Sequence, residues 1–301
     1  MRLGLGLGLG SRARGGGASY TDLTLPQQDS IFRAWSTRRL IPAYKDGIGI
    51  RSIKPNVSPP PDYVEANHKL LPGGLLDISG SAARITAMYD QIAGTDSTSL
   101  IQSTYTGTPL IWDGNALKKG ADWSDLETGI GNTLAMQDYD AALETVMLGS
   151  FSLIVWAFCG INGQSILYRR KTNGSGSYSI RTGVVASGSI VFRMADETNI
   201  TVGSDIAWVN KWASFGFIVD RSSATPTYRL MFNGATIPGG TGNLPTPSAG
   251  GDNSLRIGAG STTTNAYSVN DLAIWNKALT TAEFMAAHNA MLPYYSNLAV
   301  M

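Results

Sequence analysis

The chain has 301 residues, a formal net charge of +1 and only 15% charged residues. That balance excludes a nucleic-acid binder working through a basic field. No apolar run reaches the roughly 18 residues that span a bilayer. A single cysteine, Cys159, excludes an intrachain disulfide, and two histidines far apart, His68 and His288, exclude a His/Cys zinc cluster of ordinary spacing.

Residues 1–29 read as an extended arm. In "MRLGLGLGLGSRARGGG" the glycines disfavour a helix by about 1 kcal/mol each against alanine. With period 2, Leu3, Leu5, Leu7 and Leu9 share one face, with bare backbone opposite. Arg2, Arg12 and Arg14 follow or flank them. The arm has the form of a docking segment: leucines for an apolar groove, arginines for an acidic surface.

From residue 30 the signals are those of a β domain. "SIFRAWSTRRLIPAY" mixes apolar and basic residues, and "GIGIRSI" predicts a short strand. "KPNVSPPPDYVEANHKLLPGG" reads as a loop, because three consecutive prolines fit neither sheet nor helix. "ARITAMYDQ" and "TPLIWDG" are further strand candidates. "FSLIVWAF" is apolar on both faces and predicts a buried strand. "QSILYRRK" and "SYSIRTG", separated by "TNGSG", predict a hairpin, and "GSIVFRMA" and "NKWASFGFIVDRSS" predict further strands. In "TYRLMFNGATI", Asn233-Gly234 supplies the two positive-φ positions of a tight turn. "NSLRIGAG" and "YSVNDLAIWN" predict closing strands. "LTTAEFMAAHNAMLP" predicts one helix, opened by a Thr280-x-x-Glu283 capping box and stopped by Pro293. On it Phe284, Ala287, His288 and Met291 share a face, which makes His288 a packing or surface residue. Together these elements predict an all-β fold, a two-sheet antiparallel sandwich with a short C-terminal helix.

The second half resembles the concanavalin A-like, laminin-G-like jelly-roll family over roughly residues 150–292. The resemblance lies in the order of "FSLIVWAF", then Trp212, Asp220 and Asn233-Gly234, then "SLRIGAG" and "VNDLAIWNKALTTAEFMAAHN". The first half, in "AWSTRRLIPAYKDGIGIRS", "LLDI", "ITAMYDQIAGTDSTSLIQ" and "TPLIWDG", is similar to the start of the arabinofuranosidase-B-type sandwich. Tyr89-Asp90-Gln91 and Pro109 keep its landmarks, while "IAGTDS" replaces the usual Gly-Asn. The resemblance implies a concanavalin A-like sandwich over 30–301, with a laminin-G-like core over about 130–295.

Each type of site chemistry has its candidates. A glycosidase needs two opposed carboxyl groups, and Glu127, Asp138, Asp140 and Glu144 are the acids placed to form such a pair. The adjacent Cys-Cys of the arabinofuranosidase family is missing, as is the E-x-D-x-x-E pattern of the related glucanases. Cys159, within "VWAFCG", reads as a buried apolar thiol. The expectation is therefore no enzyme activity, with a carbohydrate-active enzyme or sugar-binding protein related to arabinofuranosidase B as the alternative. No cofactor is expected. Calcium has weak candidates in Asp252, Asn253, Asn270 and Asp271, whose oxygens also serve ordinary turns. Trp112, Trp123 and Trp208 are the glycan-stacking candidates, and Trp156, Trp212 and Trp275 belong to the core.

The second resemblance extends to many bacteriophage virion proteins that carry this module without a hydrolase. It implies a structural component of a phage or phage-like particle, a tail fibre or tail tip, or a head decoration or spike. Other virion proteins would be its partners through the arm, and a host-surface glycan would be its ligand. A homo-oligomer, such as a trimer, fits that setting, although no heptad stretch specifies one. The expected location is the virion, assembled in the bacterial cytoplasm.

Overall fold

A computed structural model describes residues 23–36, 38–44, 47–55, 63–69, 83–95, 98–102, 110–112, 121–122, 134–136, 140–159, 165–170, 178–182, 190–194, 198–202, 211–244, 254–257 and 267–296. The first half contributes β1 (Ile31–Ser36), β2 (Ile48–Pro55), β3 (Tyr63–Lys69), β4 (Ala83–Met88), β5 (Leu100–Gln102), β6 (Leu110–Trp112), β7 (Ala121–Asp122), β8 (Leu134–Met136) and helix α1 (Ala141–Leu148). The second half contributes β9 (Phe151–Cys159), β10 (Ser165–Arg170), β11 (Tyr178–Thr182), β12 (Ile190–Met194), β13 (Thr198–Val202), β14 (Lys211–Asp220) and β15 (Thr227–Phe232). It closes with β16 (Ala235–Asn243), β17 (Ser254–Ile257), β18 (Tyr267–Trp275) and helix α2 (Thr281–Ser296).

Every described strand pairing is antiparallel. One sheet runs β1-β18-β9-β14-β15-β16. The other runs β13-β12-β11-β10-β17-β8-β5-β4-β2-β3. Strand β6, paired to β4, and β7, paired to β18, link the two at one side. The two sheets face each other as a jelly-roll sandwich: Phe217 of β14 meets Phe192 of β12 edge-to-face at 5.4 Å.

The double-sided apolarity of β9 has its cause in a third layer. Phe151 to Ala157 are all buried. On the outer side, Trp156 stacks on Tyr295 of α2, with ring centroids 4.1 Å apart. Ser152 Oγ donates to Lys277 O and accepts from Leu279 N, which fixes the turn into α2. The strand thus packs against the opposing sheet on one face and against α2 on the other.

The predicted hairpin between β10 and β11 forms, with Tyr168 opposite Ser179. Asn233 and Gly234 have φ of 46° and 80°, as the tight turn requires. The capping box closes reciprocally: Thr280 N donates to Glu283 Oε2 at 2.7 Å, and Glu283 N donates to Thr280 Oγ1 at 3.1 Å. The backbone N–H of Thr280 holds the Glu283 carboxyl below its ordinary pKa.

Four expectations need correction. The stretch around "YVEANHK" is not all loop, because β3 pairs with β2 from Ile48↔Lys69 to Pro55↔Tyr63. Local composition hid a strand that long-range pairing stabilises. A second helix, α1, follows Asp140, whose Oδ1 accepts from Ala142 N and Leu143 N. Pro293 lies inside α2 and does not end it. Tyr294 and Tyr295 behind it are buried, so their packing outweighs the hydrogen bond that proline removes. Finally, residues 23–29, expected to lie outside the domain, belong to the described fold. Leu23 and Leu25 belong to the core, and Pro26 O accepts from Trp275 Nε1 at 3.0 Å.

Candidate functional site

Two polar clusters are built from distant segments around β1 and β18, and both contain residues singled out by the sequence. The first centres on Asp90, which follows β4. Its Oδ1 accepts from Ala34 N at 3.1 Å and Ile92 N at 3.0 Å, and its Oδ2 accepts from Ala93 N at 3.2 Å. Arg33 Nε lies 3.4 Å from Asp90 Oδ2, and Arg33 Nη2 donates to Asp140 Oδ2 at 2.9 Å. Burial raises the Asp90 pKa, and the three N–H donors and Arg33 offset part of that rise. The adjacent Gln91 accepts from Leu40 N at 2.7 Å and Ile41 N at 3.1 Å, and it donates to Arg38 O at 2.7 Å. The Tyr-Asp-Gln landmark is therefore a clasp. It satisfies backbone groups of edge strand β1 and of the turn behind it, which would otherwise be buried without partners.

The second cluster lies between β18 and α2. Arg38 Nη2 donates to Asp271 Oδ2 at 2.5 Å, and Arg38 Nε reaches the same oxygen at 3.1 Å. Ser36 Oγ donates to Asp271 Oδ1 at 2.5 Å. The guanidinium carbon stands 4.3 Å from the Tyr294 ring centroid. Burial opposes the charge on Arg38, but Asp271 and the two tyrosines outweigh it, so its pKa lies above the ordinary value. Burial, with Asp271 beside it, pushes the Tyr295 phenol well upward. Asn270 Nδ2 donates to the Tyr295 hydroxyl at 3.1 Å. Further along α2, His288 Nδ1 and Ser214 Oγ are 2.9 Å apart, and the imidazole stacks on Trp156 at 5.0 Å. Burial lowers the His288 pKa.

The sequence-derived candidates divide sharply. Asn270 and Asp271 sit fully buried in β18, not on a rim loop: the Asp271 oxygens face Arg38 and Ser36, and the Asn270 amide nitrogen donates to Tyr295. Asp140 caps α1 and holds Arg33, and Glu144 is buried in α1. Trp156, Trp212 and Trp275 are core residues, as expected, and His288 packs under α2. Leu3, Leu5, Leu7, Leu9, Arg12, Arg14, Glu127, Asp138, Trp123, Trp208, Asp252 and Asn253 lie outside the described residues, as do the side chains of Trp112 and Cys159. The backbone of Trp112 ends β6. Among the described residues no group of three His, Cys, Asp or Glu side chains is placed to hold a metal ion. Nor is any described helix long and apolar enough to cross a membrane.

The sequence missed Arg33 and Arg38 as cluster centres. The signal available was "RAWSTRR": arginines beside buried aromatics need buried counter-charges.

Residues 136–284 match the laminin-G family model described as "Concanavalin A-like lectin/glucanases superfamily". No curated protein matches the chain. Among solved structures, the chain is similar to the binding domain of botulinum neurotoxin serotype D/C VPI 5993, at 19% identity and TM-score 0.43, covering 53% of this chain and 40% of that one. It is also similar to the binding domain of botulinum neurotoxin DC in complex with SialylT, at 14% identity and TM-score 0.47, covering 69% and 51%. A third is the botulinum neurotoxin serotype G binding domain, at 15% identity and TM-score 0.44, covering 64% and 48%. The chain spans about half the length of these domains or less. The matched stretch is just under half of the chain, and the antiparallel sandwich is consistent with the concanavalin A-like jelly roll that this family model describes.

Proposed function

We propose that this chain is a recognition module and not a hydrolase. It displays a lectin-like sandwich for attachment or for recognition of a host-surface glycan, on a bacteriophage or phage-like particle. The observation that supports the non-catalytic part is the position of Arg33, which engages Asp140, one of the four acids that the sequence offers as a carboxyl pair. Its guanidinium stands between Asp90 and Asp140, in contact with both. Glycoside hydrolysis needs its two carboxyl groups open to a sugar on either side of the scissile bond. Here the space between the carboxylates is filled by a cation, and both carboxylates also hold backbone N–H groups. Support for the particle role comes from the sequence: the Tyr89-Asp90-Gln91 module similar to that of virion proteins, and the Leu-Gly arm.

Two measurements test the reading. Mass spectrometry of purified particles from the producing culture should find the chain at a ratio to the major capsid protein that matches a symmetric site. Absence from particles, with free protein in the medium, would overturn the particle role. Separately, a glycan array probed with the full chain should show selective binding, and a panel of aryl glycosides should show no turnover. Turnover would restore the hydrolase reading.

A further inference from the structure

Helix α2 buries one side and leaves a continuous uncharged stripe on the other. Phe284, Ala287, His288, Met291, Tyr294 and Tyr295 face inward. Ala282, Met285, Ala286, Asn289, Leu292 and Pro293 are all exposed. Their spacing of three and four residues puts them on one outer face. Met285 and Leu292 are two of the three large apolar side chains left exposed among the described residues. A solvent-facing helix surface ordinarily carries charge, and this one has a lone asparagine as its polar group.

The chain enters the described fold beside this face. Gln27 Nε2 donates to Glu283 Oε1 at 2.6 Å, on the first turn of α2, and Glu283 flanks the stripe. Upstream of Leu23 lies the segment with leucines at 3, 5, 7 and 9. Extended, Leu3 to Leu9 covers about 20 Å. The stripe from Ala282 to Pro293 covers about 17 Å. The connection from Leu9 to Leu23 reaches up to about 46 Å, ample to lay the segment anywhere along α2. The alternation would put every leucine toward the helix and leave side-chain-free backbone on the outside.

We infer that the outer face of α2 is the seat of the chain's own Leu3–Leu9 segment, held within the same molecule. The inference concerns the free protein and does not rest on the particle role.

Limited trypsin digestion of the full chain tests it, because Arg12 and Arg14 are cleavage sites next to the segment. Two variants are compared with the unaltered chain: Met285→Asp with Leu292→Asp, and Leu5→Asp with Leu7→Asp. Thermal melts identify any variant that has lost its fold. The unaltered chain should be cut after Arg12 and Arg14 roughly tenfold or more slowly than a synthetic peptide of residues 1–22, and both variants should approach the peptide's rate. Protection should be the same in dilute and concentrated protein. Cleavage of the unaltered chain at the peptide's rate would overturn the inference, and so would folded α2 variants that stay protected. Protection that grows with protein concentration would also overturn it, by assigning the seat to a second copy. If α2 substitution unfolds the chain, the arm variant and the concentration series decide alone.

Discussion

Phe284 of α2 rests on the bare backbone of Gly216 in β14. A Cβ at that position would stand 2.5 Å from Cζ of the ring and would also press on the carbonyl of Leu153. The absence of a side chain at 216 is what lets the helix approach the sheet, and both contacts belong to fully buried residues. Gly216→Ala should therefore destabilise the fold by about 1–3 kcal/mol, the usual cost of overpacking a tight core. Urea denaturation gives the value. A companion Phe284→Leu should recover part of the loss if the ring is the main obstacle.

Arg38 and Asp271 should behave as a coupled pair. Removing one partner leaves a buried charge uncompensated, so Arg38→Met alone should cost about 3–5 kcal/mol. Arg38→Met combined with Asp271→Asn should cost clearly less than the sum of the two single changes. A double-mutant cycle from urea melts checks this. Additive losses would mean that the ion pair does not couple the turn at Arg38 to β18.

Gln91 should matter through its amide and not through its bulk. Its side chain satisfies two N–H groups and one carbonyl of the segment from Arg38 to Ile41. At about 1 kcal/mol for each buried bond, Gln91→Ala should lose roughly 2–4 kcal/mol. Gln91→Glu keeps the acceptors but removes the donor to Arg38 O, and it should fall between the two. Hydrogen exchange at Leu40 and Ile41 should accelerate in Gln91→Ala.

His288 predicts a pH dependence with a definite sign. Burial lowers its pKa in the fold, while in the unfolded chain it titrates near 6.5. Between those two values the unfolded state binds more protons than the folded state, so stability falls as pH falls. The His288 contribution is thus full above about pH 6.5 and is lost progressively below it. Melting temperature measured from pH 7.5 to 5 should drop, and His288→Asn should flatten that part of the profile. Asp90 acts in the opposite sense through its raised pKa, but at the lower pH where carboxyl groups titrate.

Local chemistry determined much of this protein from its sequence. Asn233-Gly234 marks its turn because few other residue pairs take two positive φ values, and Thr280 and Glu283 mark the start of α2 by a bond pattern four residues long. Alternation and apolar runs located most strands of the second half and put Trp156, Trp212 and Trp275 inside. What escaped was decided across distance. Strand β3 exists because β2 pairs with it, and α2 continues past Pro293 because Tyr294 and Tyr295 are buried beyond it. Arg38 finds Asp271 across 233 positions of sequence, and Arg33 joins Asp140 across 107. No local pattern encodes such a pairing, because its energy comes from excluding water around both partners, and only the folded sandwich does that. Of the acids that the sequence offered to catalysis or calcium, Asp140, Glu144 and Asp271 were thereby built into the scaffold, and the uncharged outer face of α2 came into view.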